Sequence, residues 1–127
     1  MMKRVLLTAS TLLLVACASD PTSRGTRRDR NLITLEEIAA LPPTNANDLV
    51  NRLRPTWLRD RGPTSMSSGG PSLPVVYIDE VRSGGVEALY RVSSQIVREI
   101  RFINGRDATT RWGMDHGGGV ILVTTGR

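Results

Sequence analysis

Apolar residues in this chain form one continuous run and then a series of short groups. The run covers residues 5–15 and is interrupted only by three hydroxyl residues. The next stretch, residues 17–30, has almost no large apolar side chain, whereas short apolar groups recur throughout residues 31–127. The continuous apolar run predicts a leader at 1–16, and the recurring apolar groups predict one domain at 31–127. Because a polar stretch cannot bury enough surface to offset its ordering entropy, residues 17–30 are predicted to be a flexible tether.

Two short helices are predicted at the start of the domain. Thr34 and Glu37 have the spacing of a capping box, in which a hydroxyl and a carboxylate satisfy free N–H groups of the first turn. The apolar stripe of this helix is Leu35, Ile38, Ala39 and Leu41. A second helix is predicted to start at Thr44 or Asn45 and to end before Pro55. Its apolar stripe is Ala46, Leu49, Val50 and Leu53.

Three later segments have the pattern of strands. Val75–Ile78 is a continuous β-branched and aromatic run, as in strands buried on both faces. Residues 98–103 alternate polar and apolar positions, and Val120–Thr125 is again apolar and β-branched. Residues 57–59 are interpreted as a further short strand, and residues 86–97 as containing a helical turn.

These elements predict an α+β fold with a mixed β-sheet of about four strands and two or three short helices. The stretch from 61 to 74 is rich in Gly, Pro and Ser and is predicted to be a loop.

The N-terminal pattern is typical of a secretory signal peptide. Residues 1–4 include Lys3 and Arg4, and the apolar run that follows has the length of a signal-peptide core. A permanent transmembrane helix needs about 20 residues, so this run is too short to be one. The alternative is a buried N-terminal helix or strand.

Leu14, Val15, Ala16 and Cys17 resemble the lipobox of bacterial lipoproteins. The resemblance implies that Cys17 receives a diacylglyceryl thioether, becomes the new N-terminus and is usually N-acylated as well, with palmitate-type chains. The thiol suits this chemistry because a thiolate is a good nucleophile, and Cys17 is the single cysteine of the chain. Several acyl chains, at about 0.8 kcal/mol per buried methylene, anchor a protein durably in a membrane.

The sorting position favours the outer membrane. In the enterobacterial pattern, an Asp two residues after the lipidated Cys retains a lipoprotein in the inner membrane, and here that position is Ser19. We therefore expect a lipid-anchored protein on the periplasmic side of the outer membrane.

The distribution of charge argues against nucleic acid as a partner. The chain has 17 basic and 12 acidic residues, yet residues 31–127 contain 11 Arg against 10 Asp and Glu. The excess lies in the leader and in the tether arginines Arg24, Arg27, Arg28 and Arg30. Attraction to anionic head groups or cell-wall polymers and simple solvated linker charge are both consistent with those four residues. One Cys and one His do not supply a Cys/His zinc site, and we expect neither metal nor cofactor.

Four segments in order resemble the plug domain of TonB-dependent receptors. Residues 75–81 resemble its strand and turn, and residues 96–105 its next strand. Residues 107–113 and 118–125 resemble its "pasalYG" and closing "GGvInItTk" segments, and residues 41–59 fit the region upstream. The positions that carry the resemblance are Asp79, Ile100, Gly105, Trp112, Gly113, Gly118 and Gly119. Trp112 replaces a usual Tyr.

Glu80 departs from the family, which usually has Gly at this point of the turn. Glu adopts a positive φ reluctantly, so the sequence leaves open whether the turn keeps that conformation. The glycines Gly117 to Gly119 are expected to provide a tight turn and a close backbone approach. They do not form a phosphate-binding loop, because the Lys-Ser/Thr of that pattern is missing.

The resemblance implies an interaction module and not a transporter. A receptor barrel would need several hundred further residues after the plug, and the chain stops two residues beyond the last plug-like strand. No energy-coupling box is apparent in the polar tether. We expect a domain that docks to an outer-membrane barrel protein or another envelope protein. The alternatives are a stand-alone module that binds a glycan or siderophore, and a split-off receptor fragment without transport activity.

The sequence does not favour an enzyme. Asp79 and Glu80 would point to opposite faces if they lay on a strand, so they would not pair for acid–base work. His116 follows Asp115 in a Gly-rich turn with no nucleophile assignable beside it, and we expect it to be structural or solvated. The pair Ser93-Ser94 has no apparent base.

Overall fold

A computed structural model describes residues 28–62 and 72–126. The predicted leader, the lipobox with Cys17 and the tether before Arg28 lie outside the described residues. The same is true of residues 63–71, the middle of the predicted loop.

The domain is an α+β fold, as predicted, but the sheet has five strands in the described residues instead of about four. The strands are β1 (Leu32–Ile33), β2 (Val75–Ile78), β3 (Val81–Gly84), β4 (Val97–Ile103) and β5 (Val120–Thr125). The α-helices are α1 (Leu35–Ala39), α2 (Ala46–Leu53) and α3 (Gly105–Trp112). Four 3₁₀ turns are formed by Pro55–Leu58, Val86–Arg91, Ser94–Ile96 and Met114–His116. None of the helices in the described ranges is long and apolar enough to cross a membrane.

The sheet is mixed, with strand order β1-β4-β5-β2-β3. Strands β2 and β5 run parallel in the centre, with Val76 opposite Ile121, and every other pairing is antiparallel. The two edges are β1, which has two residues, and β3, which has four. The central strands are therefore the ones that the apolar pattern predicts most strongly.

Both predicted helices form, and their caps explain where they begin. Thr34 caps α1 by accepting the Glu37 N–H, and the Glu37 carboxylate accepts the Thr34 N–H, which completes the capping box. Asn45 caps α2 by accepting the Asp48 N–H at 2.9 Å. The second of the two predicted starting positions is thus confirmed as the cap.

The sheet carries a different core on each face. On one face, here called the α1–α2 face, the two helices and the 3₁₀ turns 55–58 and 86–91 cover Val76, Ile100 and Ile121. On the other, the α3 face, α3 covers Tyr77, Val120 and Leu122. Alternation along β2 and β5 supplies both faces because successive side chains point to opposite sides of a sheet.

One predicted element is wrong. Residues 57–59 do not form a strand, because Pro55 starts a 3₁₀ helix whose Trp57 is buried on the α1–α2 face. Proline fixes φ near the helical value and suits the first position of such a turn. The helical turn expected between 86 and 97 is confirmed by the 3₁₀ turns at Val86–Arg91 and Ser94–Ile96.

Candidate functional site

The plug-like residues other than Ile100 lie around helix α3 and the strands beneath it. Gly105 begins α3, Trp112 ends it and Gly113 follows at its C-cap. Gly118 and Gly119 precede β5, which lies in the sheet beside β2. Ile100 is fully buried in β4, where it belongs to the core of the α1–α2 face.

Three glycines allow the start of α3 and the turn before β5 to approach neighbouring backbone closely, and we call Gly105, Gly118 and Gly119 the glycine seat. A Cβ on Gly105 would collide with the carbonyl oxygen of Gly117, and one on Gly118 would collide with that of Leu73. Gly119 has φ +94, and a Cβ there would lie 2.7 Å from the Ile103 carbonyl oxygen. The close backbone approach expected of the glycine triplet is therefore present, and it brings the start of α3 down onto the turn before β5.

The β2–β3 turn consists of Asp79 and Glu80, both with positive φ, at 47° and 70°. Since Ile78 pairs with Val81, these two residues are the whole loop, and two positive φ values are the hallmark of a type I′ hairpin. Glu80 thus keeps the conformation that the sequence left open. A left-handed conformation costs a non-glycine residue about 1–2 kcal/mol.

The side chains of this turn point to two other elements. The Asp79 carboxylate accepts the Thr125 N–H at 2.8 Å and the Thr125 hydroxyl at 2.6 Å, which ties the turn to the end of β5. Glu80 lies 3.1 Å from the Arg111 guanidinium of α3. The two carboxylates therefore have separate partners and do not form an acid–base pair.

An aromatic cluster with one histidine joins α3 to the sheet. The Tyr77 ring lies 5.1 Å from that of Trp112 and 5.9 Å from that of His116, between centroids. The Arg111 guanidinium stacks 4.4 Å above the Trp112 ring. The four side chains link β2, α3 and the 3₁₀ turn 114–116 into one contact.

His116 is buried and bonded at both ring nitrogens. Nδ1 lies 3.1 Å from the Gly113 carbonyl oxygen and Nε2 lies 3.0 Å from the Tyr77 hydroxyl. Because a carbonyl oxygen can only accept, we assign the proton of the neutral ring to Nδ1, so that Nε2 accepts from Tyr77. Sequence reasoning found the histidine but not its hydroxyl partner, which stands 39 positions earlier in the chain.

The remaining enzyme candidates hold the backbone. Ser94 accepts the Thr44 N–H at 2.9 Å, and Ser93 caps the short turn that follows it. Within the described ranges no three His, Cys, Asp or Glu side chains come together in a way that could hold a metal ion.

Among the residues that the structure describes, Glu87 is the group whose ionisation the fold alters most clearly. Its carboxylate accepts the backbone N–H groups of Glu87 and Gly85, the latter at 2.8 Å, and these bonds lower its pKa below the usual value for Glu. Hydrogen bonds to the charged form stabilise that form. The residue is exposed and steadies the link from β3 to the turn 86–91.

Arg54 forms a clamp where the chain enters the domain. Its guanidinium donates to the carbonyl oxygens of Asp29 and Leu32, at 3.2 and 2.8 Å, and forms an ion pair with Glu37 at 3.1 Å. Both side chains of the pair are only 13% exposed. No short sequence pattern indicates this clamp, because its partners lie 17 to 25 residues away.

Two shallow depressions flank helix α1. The first, of about 410 Å³, lies beside the segment before β1, and it is lined by Arg28, Asp29, Leu32, Thr34, Glu36, Glu37 and Ala40. The second, of about 400 Å³, is mainly apolar, and it is lined by Leu35, Ile38, Ala39, Leu41, Pro43, Ser94, Gln95 and Val97.

Comparison with protein-family models, with curated proteins and with solved structures finds no match to this chain.

Proposed function

We propose that this protein is a lipid-anchored envelope protein of the outer membrane whose plug-like domain is an interaction module. The proposal has two parts: an anchor at Cys17 and a docking surface on the domain. The partner that we propose is an outer-membrane barrel protein.

One observation carries the docking proposal. The four segments on which the plug resemblance rests, all within residues 75–125, come together as strands β2, β4 and β5 with α3 packed on the sheet. Two large apolar side chains next to the β2–β3 turn and the end of α3 are exposed, Val81 at 67% and Met114 at 90%, and Met is a type that interfaces favour. Arg111 of α3 forms an ion pair with Glu80 of the turn and stacks on Trp112.

Site-specific photo-crosslinking in the native envelope tests the docking proposal. A photoreactive amino acid replaces Val81 or Met114, with Tyr90, which is 61% exposed, as the matched control position. We expect a crosslinked barrel protein, identified by mass spectrometry, from the first two positions and not from the third. Reproducible absence of any barrel partner at Val81 and Met114 contradicts the proposal.

The variant Cys17→Ser tests the anchor. Without the thiol no thioether can form, and we expect the protein to leave the membrane fraction for the soluble fraction. Ser19→Asp is the matched control, because it keeps the thiol and should move the protein to the inner membrane. Cell fractionation with intact mass measurement reads out both, and membrane association of Cys17→Ser would contradict a lipid anchor.

The depression beside Arg28 favours a second candidate function, the binding of a small polar ligand such as a glycan. Its volume is within the range of ligand sites, and its lining offers both an arginine and three carboxylates. A ligand that binds only the folded state raises the free energy of unfolding, by about 2.7 kcal/mol at one hundred times its Kd. Thermal-shift screening of the purified chain against glycans and siderophores tests this, and a Glu36→Gln variant should remove any shift.

A further inference from the structure

We propose that the arginine-rich end of the domain, where the tether enters, lies against anionic phospholipid head groups and so orients the domain on the membrane. This inference rests on the proposed anchor at Cys17 and goes beyond it, because an anchor alone sets no orientation. The surface, here called the tether end, consists of residues 28–32 with the 3₁₀ turn 55–58 and Arg59 to Arg61 beside them.

Contacts within the described residues bring this surface together. The Trp57 indole N–H donates to the Arg30 carbonyl oxygen at 3.2 Å, and the Trp57 ring stacks on Phe102 at 5.6 Å. Arg61 lies over the same Phe102 ring at 4.5 Å. The segment that follows the tether, the chain after α2 and the outer part of β4 thus meet at one place.

The tether end contains four arginines against two aspartates, Asp29 and Asp60, a formal net charge of +2. Arg28, Arg30, Arg59 and Arg61 are exposed, and the last three form no salt bridge within residues 28–62 and 72–126. By contrast, the nearby carboxylates are already engaged with protein groups. Asp29 accepts the Asn31 N–H, Asp60 accepts the N–H groups of Gly62 and Ser72, and Glu37 is paired with Arg54. Glu36 is the exposed carboxylate that remains.

The tether attaches at this end of the domain, but its length does not by itself set which end faces the membrane. Eleven residue steps separate Cys17 from Arg28, and even a fully extended chain spans at most about 3.6 Å for each, or roughly 40 Å. The far edge of the sheet, β3, is four strand spacings from β1, about 19 Å, so either end lies within reach of the membrane and the arginines must set the orientation. Basic residues held near an anionic surface are attracted to it within about a Debye length, 8 Å at physiological salt.

Energy transfer to labelled lipids tests the orientation. In the lipidated full chain the sulfur of Cys17 is part of the proposed thioether, so it does not react with a thiol-specific dye. One new cysteine is introduced, Thr56→Cys in the tether end or Ser83→Cys in β3, and is labelled with the dye. Both positions are exposed, so neither label disturbs a core. Each protein is reconstituted in vesicles of phosphatidylglycerol and phosphatidylcholine that carry an acceptor on the head group. We expect severalfold more transfer from position 56 than from position 83.

The arginines are tested by a matched pair of triple variants. Arg30→Gln, Arg59→Gln and Arg61→Gln together should abolish the difference between positions 56 and 83. Arg82→Gln, Arg91→Gln and Arg106→Gln remove the same charge elsewhere and should preserve it. Pure phosphatidylcholine, or 1 M salt, where the Debye length is about 3 Å, should act like the first triple variant.

Two outcomes overturn the proposal while leaving the anchor intact. One is equal transfer from both positions in a chain that carries its lipid. The other is a difference that survives the first triple variant, since the tether alone would then set the orientation. A chain that carries no lipid by intact mass and does not float with vesicles overturns both the anchor and the orientation.

Discussion

The two faces of the sheet are held by different kinds of interaction. Among the described residues, the α1–α2 face buries fifteen hydrophobic side chains from all parts of the domain, whereas the α3 face buries four. With fewer buried side chains, the α3 face has instead the close backbone contacts of the glycine seat, the hydrogen bond between Tyr77 and His116, and the Glu80–Arg111 ion pair. The first face is stabilised by the burial of many apolar side chains, and the second by a few contacts that each need a particular residue.

The largest effect is expected from the α1–α2 face. Leu49→Ala removes a fully buried side chain of α2 and should lower the free energy of unfolding by about 3 kcal/mol, through lost burial and the cavity left behind. Denaturant unfolding measures the change. Leu35→Ala, on a side chain that is 53% exposed, is the control and should have little effect. Similar losses in the two variants would mean that the face is not the main core.

The second effect tests the glycine seat of α3. Gly105→Ala places a methyl group against the Gly117 carbonyl oxygen, so the helix must shift, and we expect a loss of about 2 kcal/mol. At Gly85 the added methyl would meet only the movable Glu87 side chain, and Gly85→Ala is the matched control. If Gly105→Ala unfolds at the same denaturant concentration as wild type, α3 does not depend on that approach.

A third, smaller effect tests the buried polar pair. Tyr77→Phe keeps the ring packed against Trp112 but leaves His116 Nε2 without its donor, at a cost of about 1 kcal/mol. Tyr90→Phe removes a hydroxyl from a side chain that is 61% exposed and should be neutral. Calorimetric unfolding measures the change in stability of the two variants relative to wild type. A neutral Tyr77→Phe would show that packing, and not hydrogen bonding, holds this face.

The smallest effect concerns the β2–β3 turn. Glu80→Gly relieves the positive φ but removes an exposed ion pair worth under about 1 kcal/mol, so we expect a net gain of about 0.5 kcal/mol. Glu80→Ala loses the ion pair and keeps the strain, and it should be slightly less stable than wild type. Thermal unfolding that ranks Glu80→Ala above Glu80→Gly would contradict a strained turn.

What could be predicted from sequence follows the same division. Strands β2, β4 and β5 and helices α1 and α2 carry enough apolar residues, with clear periodicity and caps, to be recognised locally. Each of them contributes to the α1–α2 face. A large core leaves a periodic trace in the sequence because many residues must point the same way.

The elements that the sequence did not predict lack a periodic pattern of apolar residues. Helix α3 buries only Ala108 along its length, and β3 is exposed, so neither shows an apolar stripe or an alternation. Strand β1 has two residues and is defined by its pairing with β4. The hairpin signal at Asp79-Glu80 lacked the usual glycine, and Trp57 next to Leu58 resembled a strand although Pro55 starts a 3₁₀ turn there.

The candidate site divides in the same way. The sequence indicates Gly118 and Gly119 by their place before an apolar strand and Gly105 through the resemblance to the plug domain, and the structure shows that a Cβ at each would collide with backbone. The partners Tyr77 for His116 and Arg111 for Glu80 are set by tertiary packing, at separations of 39 and 31 residues, and no local pattern encodes them.

The Arg54 clamp has a mechanical consequence. A protein anchored through its N-terminus takes any pull along the tether at β1, and a two-residue edge strand alone would peel away one hydrogen bond at a time. Arg54, at the end of α2, donates to the carbonyl oxygens of Asp29 before β1 and of Leu32, the first residue of β1, and forms an ion pair with Glu37 of α1. If the chain is anchored as proposed, tension along the tether is therefore shared between α1 and α2 before it reaches strand β4.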